Sequence, residues 1–230
     1  MIGELVTSKG IQRITLKKHG DLWCRETATF KSDRYILEEY KGTYKRMIDL
    51  VRGHHIVDIG AHIGLFTVKA MLAGAHSSVC FEPERGAFGV LQQNVKRFGS
   101  SVMAYRLAVG SKTGTVELSV PYTGNSILST THFKYKRRTS QSVPVIPFRK
   151  ILNAYRPSLL KIDCEGAELE FLDGQDLPKH VKIVCGELHR WDGEEARCKR
   201  IIKSFKDWEP IHKPSSHAYN RCWVVAWRRS

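Results

Sequence analysis

Acidic residues recur just past short apolar runs, at Val57-Asp58-Ile59-Gly60-Ala61-His62-Ile63-Gly64, Phe81-Glu82-Pro83, Ile162-Asp163-Cys164-Glu165-Gly166-Ala167-Glu168 and Gly186-Glu187-Leu188-His189. An acid that follows a strand lies at the edge where open α/β sheets bind ligands. In the first string Gly60 permits a tight turn and close approach to a ligand. Gly64 allows close packing of the next helix, whose start exposes unpaired N–H groups. The spacing departs from the G-x-G-x-x-G of dinucleotide sites. Asp58 there repels a pyrophosphate but suits a ligand carrying ammonium and sulfonium groups. Glu82 is placed to accept hydrogen bonds from both hydroxyls of a ribose. Together they point to a nucleoside ligand without phosphate, a description that S-adenosylmethionine meets. Asp163, Glu165, Glu187 and His189 bring carboxylates and a titratable imidazole to the same sheet edge and are the candidate catalytic groups. Glu168 reads as charge compensation at a helix start.

These residues need elements to position them. Strands are expected at His55–Ile59, Ser78–Phe81, Val102–Val109, Leu159–Ile162 and Val181–Leu188, with others at Thr115–Val120 and Val143–Ile146. Helices are expected at His62–Leu72, Arg85–Phe98, Arg149–Tyr155, Ala167–Leu172 and Glu194–Phe205, with Trp208–Ile211 and Cys222–Trp227 closing as an antiparallel pair. Strands alternating with helices predict a doubly wound α/β fold with a mostly parallel sheet and an antiparallel C-terminal strand pair. Residues 1–51 read as a hairpin (Ile11–Lys17 with Leu22–Arg25) and a helix from Ser32 or Asp33 to Val51, leading into one domain over 52–230. Residues 121–142 lack periodicity and carry Phe133, Lys134, Tyr135, Lys136, Arg137 and Arg138, a basic segment with aromatic rings.

Composition bounds the function classes. The chain has 230 residues, 42% hydrophobic and 10% aromatic, enough for a sizeable core and against wholesale disorder. No apolar run reaches the length of a bilayer span and no secretory leader is visible, so the cytoplasm is the expected location, with the six cysteines reduced. The formal charge of +14 suits either a nucleic-acid binder or an enzyme with an anionic acceptor.

The strings VDIGAHIGLFTVKA, CFEPERGAFGVLQQNVK, RLAVGSKTGTVELSV, LLKIDCEGAELEFL and CGELH, in this order across residues 54–190, resemble the FkbM-type methyltransferases. The resemblance implies a class I, Rossmann-like methyltransferase fold, S-adenosylmethionine as cofactor and methylation of a hydroxyl. It implies that Asp58, Gly60, Ala61 and Gly64 line the methionine end, that Glu82 holds the ribose and that Ala108 lies by the adenine. Asp163 would face both cofactor and acceptor, with Glu165, Glu187 and His189 on the acceptor. Asn125-Ser126-Ile127 matches a serine-containing loop of the family, and His62 stands where the family commonly has Asn. The reaction expected is in-line displacement at the sulfonium methyl, with Asp163, Glu165 or His189 as base. No dedicated metal centre is expected; as an alternative, Asp163 with Glu187 offers oxygen ligands to a divalent cation such as Mg²⁺. Two other functions fit the charge. One is an RNA cap or ribose 2′-O methyltransferase with Asp163, Glu187 and Lys41 or Lys45 in the site and the basic loop and tail on RNA. The other is a non-catalytic nucleic-acid-binding protein with a vestigial methyltransferase fold.

Overall fold

The computed structural model describes residues 6–8, 11–16, 20–25, 33, 43–121, 138–190, 193–216 and 222–229. Lys41, the Asn125-Ser126-Ile127 string and the basic run at 133–137 lie outside them. The elements in chain order are β1 (Val6–Ser8), β2 (Ile11–Leu16), β3 (Gly20–Arg25), α1 (Thr43–Ile48), β4 (His55–Ile59), α2 (Leu65–Leu72), β5 (Ser77–Phe81) and α3 (Arg85–Val95). There follow β6 (Val102–Tyr105), β7 (Ala108–Gly110), β8 (Gly114–Pro121), β9 (Arg138–Pro147), α4 (Phe148–Tyr155) and β10 (Leu159–Ile162). The chain then forms α5 (Glu168–Leu172), β11 (Ile183–His189), α6 (Glu195–Ser204), β12 (Trp208–Ser216) and β13 (Cys222–Arg229).

A seven-stranded sheet runs in the order β12-β13-β11-β10-β4-β5-β6. Neighbours from β11 to β6 pair in parallel, while β13 runs antiparallel to β11 and β12 antiparallel to β13. This is the α/β, mostly parallel sheet with an antiparallel C-terminal pair that the alternation of apolar runs predicts. Helices on both faces explain why β4, β10 and β11 read as near-continuous apolar runs. Ile56, Leu159, Ile183 and Cys185 face one buried cluster with α2 and α3, and Val57, Leu160 and Val184 face a second with α4, α5 and α6. Leu22 and Cys24 of β3, with Met47 and Val51, join the first cluster.

Several boundaries differ from expectation. The helix predicted from His62 begins at Leu65, because His62 and Gly64 are left-handed (φ 49° and 83°) and a right-handed helix cannot start across them. The predicted third strand Val102–Val109 is two strands: β6 closes the large sheet, and β7 pairs with β9 in a separate sheet ordered β7-β9-β8. Of the predicted helix from Ser32 or Asp33 to Val51, the described residues show α1. The C-terminal strands are longer than expected and carry register shifts between Pro210 and Ser215. Among the described residues no helix is long and apolar enough to cross a membrane, and Cys24, Cys80, Cys164, Cys185 and Cys198 are free thiols.

Candidate active site

Strand parity assembles the site. Side chains alternate faces along a strand, and the parallel register sets Lys161 opposite Asp58 on one side and Cys185 on the other. Lys161 and Asp58 therefore meet on the face shared with α2. Asp58 is fully buried; its Oδ2 accepts from Thr67 Oγ1 (2.8 Å) and its Oδ1 lies 3.2 Å from Lys161 Nζ. The same ammonium donates to the Gly60 carbonyl (2.6 Å) and lies 3.6 Å from Asp163 Oδ2. Burial alone would lower the Lys161 pKa, but the two carboxylates hold it above its ordinary value. Lys161 is thus a buried cation that ties the end of β4, the glycine turn and the end of β10 together.

Gly60 has φ 74°, and a Cβ there would stand 1.7 Å from the Asp163 carbonyl oxygen. The bare backbone is required by the neighbouring strand end itself. At Gly64 a Cβ would stand 2.5 Å from Leu91 Cδ1, so the absent side chain lets α2 approach α3. Ala61 is buried beside them, and its N–H donates to the Phe81 carbonyl (3.1 Å). Past β5, the Glu82 carboxylate accepts from the N–H of His62 (2.8 Å) and of Glu84 (2.8 Å). Burial nevertheless pushes its pKa up to about 7. Ala108 begins β7, outside the large sheet and beyond the end of β6. The glycine turn after β4 and Glu82 after β5 thus lie at the carboxyl edge of adjacent strands.

A second group lies at the ends of β10 and β11. His189 is buried, and both its N–H (2.6 Å) and its Nδ1 (3.0 Å) meet Glu168 Oε1. Glu168 Oε2 accepts from the Gly166 N–H (2.9 Å) and the Cys164 thiol (3.3 Å). Burial opposes ionisation of Glu168, yet His189, through its charge and the bonds from its ring and backbone N–H, holds the pKa down. Burial likewise opposes the imidazolium, but Glu165 and Glu168 raise the His189 pKa well above its ordinary value. With Nδ1 held, His189 turns Nε2 toward Glu165 Oε2 (3.5 Å) and Glu187 Oε2 (3.7 Å). Burial, opposed by His189, pushes the Glu165 carboxyl up to about 8. Glu165 is left-handed at φ 55° and is followed by Gly166 at φ 104°. A non-glycine residue in that region costs about 1–3 kcal/mol and is found where the surroundings hold it. Single ligand atoms of Asp163, Glu187 and His189 all lie within 4.8 Å of one another.

Some of the machinery was not visible in the sequence. Glu168 is the fully buried anchor of His189 rather than an exposed helix-start charge. Lys161 is embedded in an apolar string, and only the strand register pairs it with Asp58. Arg25 donates to Asp33 (2.6 Å), Glu84 (3.0 Å) and His62 Nε2 (3.0 Å), and so joins β3 to the loops after β4 and β5. A guanidinium has no acceptor, so His62 Nε2 accepts this bond. Burial pushes the His62 pKa down to about 4, in keeping with that neutral ring. Glu84 also caps α3, accepting from Gly86 N and Ala87 N. Lys45 is exposed on α1.

Residues 58–218 match the model of the methyltransferase FkbM domain. The chain belongs to the FkbM methyltransferase family. It is 27% identical over 175 residues to Methyltransferase 1 of Beauveria bassiana, covering 65% of this chain and 70% of that protein. It is 28% identical over 138 residues to the hexuronic acid methyltransferase AglP of Haloferax volcanii, covering 57% of this chain and 54% of AglP. The crystal structure of Methanocaldococcus jannaschii Trm5 in complex with adenosine matches 96% of this chain and 55% of its own, at TM-score 0.52 and 13% identity. The chain thus spans about half the length of AglP and of Trm5. The Trm5 match shows the Rossmann-like methyltransferase fold, and membership of the FkbM family implies S-adenosylmethionine as methyl donor.

Proposed function

We propose that this FkbM-family protein methylates an oxygen of a hydroxyl-bearing acceptor, using S-adenosylmethionine. The observation that carries the reading is that Asp163, Glu165, Glu187 and His189 meet at the same carboxyl edge as the glycine turn and Glu82. The donor set fits the cofactor: Glu82 offers carboxylate oxygens to a ribose diol, and the acidic edge suits a ligand with cationic groups. Gly60, Ala61 and Gly64 form the turn against the methionine end, and Ala108 borders the adenine. Asp58 acts through Lys161 and Thr67, holding the turn in place. When bound, S-adenosylmethionine supplies a methyl group on a positively charged sulfur.

The chain's own residues then position the acceptor and take its proton. Glu168 fixes the His189 ring, and His189 with Glu187 and Asp163 orients the attacking oxygen. Glu165, held in a strained conformation beside His189, receives the proton, an effect typically worth about 10²–10⁴-fold in rate. AglP acts on a hexuronic acid by its name, and every nucleophilic atom of a hexuronic acid is an oxygen; this supports O-methylation.

The test is transfer of a labelled methyl group to glycan, small-molecule and RNA pools in parallel, with cofactor binding followed by tryptophan fluorescence. Transfer to a hydroxyl compound, lost in Glu165→Gln while the cofactor still binds, is the expected result. Absence of cofactor binding overturns the reading, and transfer confined to RNA with steep salt dependence replaces it by the nucleic-acid version.

A further inference from the structure

We propose that Asp163, Glu187 and His189 form a divalent-cation site that would also take the acceptor oxygen as a ligand. This rests on the methyltransferase reading for its purpose, but not for its geometry.

Ligand atoms about 2.0–2.2 Å from one small cation stand roughly 3–4 Å apart around it. Glu187 Oε2 and His189 Nε2 are 3.7 Å apart, and the three donors lie within 4.8 Å of one another. Side-chain movements of about 1 Å close that set on an ion. Parity accounts for the convergence: Glu187 and His189 lie at the end of β11 in step with Cys185, the register partner of Lys161, and Asp163 directly follows β10.

The surroundings point the same way. A metal-binding histidine typically gives its other ring nitrogen to a carboxylate, which fixes the ring. Glu168 is that carboxylate: it is no ligand itself, is fully buried, and receives Nδ1 at 3.0 Å. Around Nε2 gather the carboxyl groups of Glu165, Glu187 and Asp163, so the oxygen donors that a divalent cation prefers converge in a mostly buried place. Lys161, already committed to Asp58 and the Gly60 carbonyl, lies 3.6 Å from Asp163 Oδ2 and steadies the outer carboxylate. Two carboxylates with one imidazole suit a cation between the hard and borderline classes, and Mn²⁺ meets that description. Binding exchanges the Nε2 proton for the ion and releases the proton to solvent. Three protein donors would leave a six-coordinate ion further positions, one of which the acceptor oxygen would take with its acidity raised, while Glu165, outside the ligand set, would take the proton.

The experiment is titration of the chelator-treated full chain with Mn²⁺, reading the loss of the free-ion electron paramagnetic resonance signal. One Mn²⁺ per chain is expected, with Asp163→Asn and Glu187→Gln each weakening binding at least about tenfold and Glu168→Gln about 10–100-fold. Glu209→Gln, on the exposed β12, leaves it unchanged. No binding up to about 1 mM Mn²⁺ overturns the proposal, as does binding that the site variants leave intact. If a variant fails to fold, the melting temperature of the unaltered chain decides: a rise with Mn²⁺ supports the site and no rise overturns it. Cofactor binding is measured separately on metal-free protein. A chain that binds S-adenosylmethionine but no Mn²⁺ refutes the cation site alone, whereas one that binds Mn²⁺ but no cofactor refutes the methyltransferase reading alone.

Discussion

Replacing Lys161 by Met removes one buried cation and keeps most of the volume. The side chain loses its bond to the Gly60 carbonyl and its ion pairs with Asp58 and Asp163. The two acids respond differently because their exposure differs. The Asp163 side chain is 27% exposed and regains water, whereas that of Asp58 is 0% exposed and keeps only the Thr67 hydroxyl. Stranding one partner of a buried ion pair costs about 3–5 kcal/mol. For a domain of this size that corresponds to a fall in Tm of roughly 6–20 °C. The double variant Lys161→Met/Asp58→Asn removes the stranded charge, so most of the loss should return, leaving a coupling of at least about 2 kcal/mol. Guanidinium denaturation followed by circular dichroism gives the four corners of the cycle. A Lys161→Met cost under about 1 kcal/mol, or losses that simply add in the double variant, would refute the idea that Lys161 exists to neutralise Asp58.

Two further outcomes follow from the cofactor side. Gly60→Ala places a Cβ 1.7 Å from the Asp163 carbonyl oxygen in a left-handed residue, so it should cost at least about 2 kcal/mol and abolish nucleoside binding; near-native stability in denaturation would show that the strand end yields easily. Glu82, raised from 4.5 to about 7 by burial, makes the fold pH-sensitive in a defined direction. The folded state holds this proton more tightly than the unfolded one, so its contribution is complete below pH 4.5 and is lost as pH rises through 7. Affinity for methylthioadenosine, which keeps the ribose diol and lacks the amino-acid group, should instead rise about tenfold across that range as the carboxylate ionises. Glu82→Gln should flatten both profiles in calorimetry and denaturation.

The fold was legible in the sequence because its main signals are local. Largely apolar runs such as Leu159–Ile162 and Ile183–Leu188, alternating with amphipathic helices, specify a parallel sheet covered on both faces. The split between β6 and β7 was not, since Arg106 alone interrupts the apolar run Val102–Val109, and a single charge does not mark where the chain leaves one sheet for another. The late start of α2 was hidden for a related reason: His62 carries no sequence mark of its left-handed backbone, which is imposed by the bond from its N–H to Glu82 and by Arg25 on its ring.

The candidate site was legible only as far as residue type and strand-end position carry it. Asp58, Glu82, Asp163, Glu187 and His189 announce themselves because acids and an imidazole interrupt apolar strings. The residues that orient them do not, because their roles come from register and long-range contact. Lys161 looks like a solvent-facing break in a strand, yet parallel pairing sets it against Asp58, about a hundred residues earlier in the chain. Arg25 lies 37 residues from His62 and 59 from Glu84, and nothing near it in sequence suggests an anchor for two loops at the sheet edge. Through that one guanidinium, β3 is bound to the turn that holds the proposed cofactor site. The segment that reads as a leader is therefore tied directly to the residues after β4 and β5, and a change at Arg25 should reach ligand binding without touching any ligand-facing group.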